Sequence, residues 1–68
     1  MKSVFKTMQE ALQESTFNFF VVTSTEIHGH ELLADAKEDC DRANKALAAG
    51  GIPETIAFVV DRKLEKKY

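Results

Sequence analysis

His28-Gly29-His30, flanked by Glu26 and Glu31, is the densest group of metal- and proton-binding side chains in the chain. Two imidazoles two residues apart face one ion if the backbone between them bends. A tetrahedral site needs further ligands, and Cys40 or an acid would have to come from elsewhere in the fold. The paired Cys or Cys/His spacings of structural zinc sites are missing. The expectation is two loop histidines, with no metal and no cofactor.

Cys40 is the only thiol. It would be a nucleophile if an imidazole reached it, but its spacing puts it among the alanines of an apolar helix seam. Burial there disfavours the thiolate, so an inert core residue is expected.

Thr23-Ser24-Thr25, before Gly29 and a helix start, has the outline of an anion site at a strand end. Against it, the segment has no Lys or Arg, Glu26 and Glu31 would repel phosphate, and no phosphate-binding fingerprint is present. The chain is therefore not expected to be an enzyme.

Glu31, Asp35, Glu38 and Asp39, with Asp41 beside them, are expected along the exposed side of the long helix. Such a stripe could imitate a phosphate backbone and occupy the site of a nucleic-acid-binding protein. Lys37, Arg42 and Lys45 interrupt it, as on an ordinary solvated face. Arg62, Lys63, Lys66, Lys67 and Tyr68 form a basic end, which reads as a solubilising, frayed terminus.

These groups belong to a chain of 68 residues, enough for one domain with a small core. Its 44% hydrophobic and 29% charged composition excludes a disordered or low-complexity segment. A single cysteine excludes an internal disulfide. A net charge of −2 argues against direct nucleic-acid binding through a basic surface. The longest apolar run, Phe19-Phe20-Val21-Val22, is far too short to cross a bilayer, and the N-terminus lacks a signal-peptide core. A cytoplasmic setting with no membrane partner is expected. The middle of the chain is acidic and the end basic, making the molecule dipolar.

Four elements are expected. Val4, Phe5, Met8, Ala11 and Leu12 repeat at helical spacing over 4–14, with Ser3 as a candidate N-cap. Residues 16–24, aromatic and β-branched, read as a strand, and 25–30 as a loop. Leu33, Ala36, Cys40, Ala43 and Leu47 make a narrow seam on a helix over 31–49. Gly50-Gly51 is suited to a left-handed cap, and Pro53 prevents the helix from resuming. Residues 54–61 read as a second strand. The tail from Arg62 either extends it or turns as a helix.

The fold class is thus α/β, with α+β as the alternative: a single domain, helix-strand-helix-strand. Parallel strands joined by a right-handed crossover are the usual arrangement, and an antiparallel pair is the alternative, needing an extra reversal at 25–30 or 50–53. Strand alternation suggests that Phe17, Phe19 and Val21 share a covered face with Ile56, Phe58 and Val60. Asn18, Phe20, Val22, Ala57 and Val59 then form a second apolar face. A sheet of two strands is marginal alone, so a second copy of the chain is expected to complete it, unless the helices cover opposite faces. The functional expectation is a non-catalytic, homodimeric protein-interaction module that modulates a larger, unidentified protein partner. The alternative is an acidic inhibitor that mimics nucleic acid; a metal- or anion-binding enzyme subunit using residues 23–31 is a third. The size and style suit an accessory protein such as phages carry, an association that no residue supplies.

Overall fold

The computed structural model of the chain describes residues 2–50 and 57–68. The elements run β1 (Val4–Phe5), α1 (Met8–Glu14), β2 (Phe19–Val22), β3 (Ile27–His30), α2 (Leu33–Ala49) and β4 (Phe58–Asp61). The mixed α and β character of one small domain is as expected, but the sheet has four strands rather than two. It is antiparallel throughout, in the order β1-β3-β2-β4.

The N-terminal helix starts later than its periodicity suggests. Thr7, not Ser3, is its N-cap: the Thr7 hydroxyl accepts from the Glu10 amide at 3.1 Å. Thr7 and Glu10 have capping-box spacing. Val4 and Phe5 are released to pair with His28 and Ile27 of β3. Phe5 remains a core residue, since strand and helix positions can aim it at the same place.

The segment 25–30 is not a loop. Thr23 closes a tight turn, its backbone N–H bonding Glu26 O and its hydroxyl donating to the same oxygen at 2.8 Å. The chain then reverses into β3, which pairs with β2 from Phe19↔His30 to Val22↔Ile27. Ile-His-Gly-His has little strand character of its own; its place between β1 and β2 makes it a strand.

The expected crossover between the 16–24 and 54–61 strands is not formed, because β2 and β4 are antiparallel neighbours; α2 instead joins β3 to β4 and steps over β2. β1–α1–β2 is a second such unit, stepping over β3. Within each unit the two strands are parallel but not adjacent, which corrects the expected parallel pairing. The two units step the same way across the sheet with their strands pointing oppositely. Crossovers of one hand then put their helices on opposite faces. Ala11 of α1 packs with Phe5, Phe20 and Ile27 on one face. Ala36 of α2 packs with Val21, Ala57 and Val59 on the other.

The register also differs from the expected one. Phe20 lies opposite Val60, Val22 opposite Phe58, and Val21 opposite Val59. Phe20 and Val22 therefore share the α1 side with Phe58 and Val60, while Ala57 and Val59 share the α2 side with Phe19 and Val21. A shift of one residue exchanges faces in this way. The expected second face of Asn18, Phe20, Val22, Ala57 and Val59 is thus split between two sides. Phe20, Ala57 and Val59 are buried within the chain, Val22 is half-buried and Asn18 is exposed.

α2 ends at Gly50, whose N–H bonds Ala46 O at 3.0 Å. Gly50 is right-handed, at φ −79°, so of the two glycines suited to a left-handed cap this one does not take that conformation. Gly51, Pro53 and Ile56, and the expected strand start at 54, lie outside the described residues. No helix among the described residues is long and apolar enough to cross a membrane.

The tail is neither a strand extension nor a helix. It reverses after Asp61 through Leu64, at φ 59°, and runs back along β4. Asp61 N–H bonds Lys66 O at 3.3 Å and Tyr68 N–H bonds Val59 O at 2.8 Å. The outer edge of β4 is thereby covered, leaving β1 as the other edge of the sheet.

Candidate functional site

Alternation along β3 sends Ile27 and Gly29 to the α1 side and His28 and His30 to the α2 side. No bend is needed for the two imidazoles to share a direction. Gly29 is buried beneath Phe17: a Cβ there would lie 2.2 Å from Cδ2 of the ring. The glycine lets the aromatic ring close the α1 side while the histidines project from the other.

Across from them, the second turn of α2 supplies Asp39. Its Oδ2 lies 2.9 Å from His28 Nδ1 and 2.8 Å from His30 Nε2. The remaining His28 nitrogen, Nε2, lies 2.9 Å from Glu26 Oε1. An ionised carboxylate only accepts hydrogen bonds. Both nitrogens of His28 therefore carry protons when both contacts are made, and the ring is an imidazolium. Partial burial pulls the His28 pKa down, but the hydrogen bonds and charges of Glu26 and Asp39 outweigh this, and the net shift is upward. Partial burial pushes Asp39 up, yet the bonds from His30 and His28 bring it below the usual carboxylate value.

His28, His30 and Asp39 border an open hollow of about 440 Å³ between β1, β3 and α2, with Asp35, Glu38 and Arg42 on its helical wall. Among the described residues, no group of three or more His, Cys, Asp or Glu is arranged to hold a metal ion. Asp39 occupies the position between the imidazoles, and Glu26 faces the other ring nitrogen of His28. The arrangement can hold and release a proton and can join β3 to α2.

The anion site outlined by Thr23-Ser24-Thr25, which the sequence argues against, is not assembled. Thr23 lies at one end of β3 and the start of α2 at the other. The Thr23 hydroxyl is taken by the turn, accepting from Glu26 N–H at 3.0 Å while donating to Glu26 O.

Cys40 lies on the sheet-facing side of α2, half-buried, with Sγ donating to Ala57 O at 3.3 Å. Desolvation raises its pKa, and the charges of Asp39 and Asp41 raise it further. No imidazole is among its hydrogen-bond partners.

The acidic stripe is narrower than its spacing implies. Glu31 precedes α2, and Asp39 turns inward to the histidines. Asp41 pairs with Lys45 at 3.2 Å, and Glu38 lies 3.8 Å from Arg42. Glu31, Asp35 and Glu38 remain as outward-facing acids.

Two side chains escaped the sequence reading. Arg62, assigned there to a frayed tail, gathers the carbonyls at the end of α1: Leu12 at 2.7 Å, Ser15 at 2.8 Å and Phe17 at 3.0 Å. Asn44 pairs with the backbone of Ala57. Asn44 could have been found, since it lies four residues after Cys40 on the seam side of α2, where a polar amide needs partners. Arg62 had no local signal. Of the other basic tail residues, Lys66 and Lys67 lie over the Tyr68 and Phe58 rings, and Tyr68 meets Phe19 edge-on.

The chain matches no known protein family model, no curated protein and no solved structure.

Proposed function

We propose that this chain is a non-catalytic binding protein that presents the outer side of α2 and its approach to a basic surface of a larger protein. The observation that carries this reading is the division of its polar groups. His28, His30, Cys40, Asn44 and Arg62 are engaged within the fold, whereas Glu31, Asp35 and Glu38 are exposed, Glu38 with no closer partner than the exposed Arg42 at 3.8 Å among the described residues. A cationic surface that normally receives phosphates is a suitable target, so inhibition of a nucleic-acid-binding protein falls within the same reading.

Parallel affinity capture with wild-type protein and the triple variant Glu31→Lys, Asp35→Lys, Glu38→Lys tests it. A partner held by the wild type and lost by the folded variant supports the proposal. A partner held equally by both would remove α2 from the binding surface.

Self-association is a second reading, and the structure favours a different route from the sheet face. The β4 edge is covered by the tail, while β1 is an edge strand with Val4 43% exposed. Two copies pairing through β1 would extend the sheet across a two-fold axis. Sedimentation at micromolar concentration with and without Val4→Pro tests it, a monomer in both cases ruling it out.

A further inference from the structure

We propose that His28 is a proton-operated latch between the β2–β3 turn and α2: protonated, it holds Glu26 and Asp39 together; deprotonated, it holds only one of them. The geometry assigns this role. Each ring nitrogen faces a different carboxylate at 2.9 Å, one from the turn and one from the helix. A neutral imidazole has one N–H and cannot donate to both.

The surrounding charges fix which contact yields. From β3, His30 also donates to Asp39. From α2, Asp39 faces the ring directly, and Asp35, Glu38 and Arg42 border the same hollow. Ser3 and Val4, from the β1 side, bring no charge to it, whereas Lys2 and Lys6, flanking β1, border a second hollow together with Glu26 and Glu10. Asp39 is the more enclosed carboxylate, its side chain 20% exposed against 46% for Glu26. Water can replace the imidazolium at Glu26 more readily than at Asp39, and His30 holds Asp39 in place. Proton loss therefore frees Glu26. The turn itself keeps its shape, because the Thr23 hydroxyl and backbone close it independently of His28. The freed element is the exposed Glu26 carboxylate on the β2–β3 turn, so pH changes the charge and hydrogen-bonding capacity presented there without unfolding the sheet.

Nitrogen-detected NMR of the imidazoles, followed through a pH titration, tests the latch. In the wild type, both His28 ring nitrogens should be protonated below the transition, which should lie above the ordinary value of 6.5. The Glu26 amide should report the same midpoint. Glu26→Gln should lower that midpoint and abolish the matching response at residue 26. Asp39→Asn should lower it as well, and should this variant fail to fold, Glu26→Gln decides alone, since Glu26 is exposed. A wild-type His28 that titrates at or below 6.5, or a midpoint unmoved by Glu26→Gln, would overturn the proposal.

Discussion

Asn44 pairs with Ala57 much as a neighbouring strand would. Its Oδ1 accepts from the Ala57 amide at 2.7 Å and its Nδ2 donates to the Ala57 carbonyl at 3.2 Å. A helix side chain thereby satisfies the backbone of the residue that leads into β4. Ala57 is 3% exposed, so water offers little substitute. Among the described residues, Asn44→Leu leaves that buried backbone with only the weak Cys40 thiol contact, and it should cost about 1–3 kcal/mol. Asn44→Asp keeps the acceptor and loses the donor. Urea denaturation should rank wild type above both, and equal midpoints for wild type and Asn44→Leu would show that the pairing contributes nothing.

Gly29 should tolerate no side chain while Phe17 remains. An added Cβ would sit 2.2–2.9 Å from three ring atoms of Phe17. Gly29→Ala forces the ring away from the α1 side, an overpacking cost of about 1–3 kcal/mol. Adding Gly29→Ala to a Phe17→Leu background should cost less than adding it to the wild type. Simple additivity in a double-mutant cycle would contradict the contact.

Arg62 should matter more than a surface base. It donates to the Leu12, Ser15 and Phe17 carbonyls, which end α1 and lead to β2. Helix ends leave carbonyls without intrahelical partners, and α1 has no basic residue in its last turn. Arg62→Met keeps much of the stem and removes the donors. It should lower stability by about 1–3 kcal/mol, and Lys63→Met should change it by less than about 0.5 kcal/mol. Thermal melts of the two variants compare them directly.

The histidine–aspartate seam gives stability a defined pH dependence. The His28 pKa is raised in the fold, so its contribution is complete below the unfolded value of 6.5 and is lost as pH rises through the folded value. The Asp39 pKa is lowered, so its contribution is present above 3.8 and is lost as pH falls through the folded value. The stability difference between wild type and Asp39→Asn should therefore be greatest between those limits, at about 1–3 kcal/mol for charged hydrogen bonds. Urea midpoints measured from pH 3 to pH 9 read it (about one pH unit between points is enough to resolve the window). A difference that is flat across the range would exclude the linkage.

Cys40 should react slowly in the native protein. Its Sγ contacts Ala57 O, and burial with two neighbouring carboxylates raises its pKa. Cys40→Ala should cost about 1–2 kcal/mol and Cys40→Asp several times more. Thiol labelling at the denatured rate under native conditions would show that the site is open.

Local chemistry made much of the architecture legible. The apolar spacing of Leu33, Ala36, Cys40 and Ala43 determined α2 and the side it would bury, because a helix repeats within a few residues. Phe19-Phe20-Val21-Val22 determined β2 in the same local way. The sequence also brought forward His28, His30 and Cys40, and Glu26 beside them, though not Asp39 as the partner the imidazoles share or Ala57 as the partner of the thiol. Only the tertiary structure decided that Ile27-His28-Gly29-His30 is a central strand, because pairing on both sides overrides a weak local preference. The register of β4 on β2 was equally nonlocal: shifting it by one residue exchanges Val59 and Val60 between faces without altering the local sequence pattern. Asp39 looked like one more acid on an exposed stripe until α2 was laid across β3, and Arg62 like a solvated base until β4 brought it to the end of α1. Side-chain periodicity is set within one turn or one pleat, whereas these pairings depend on where distant segments meet.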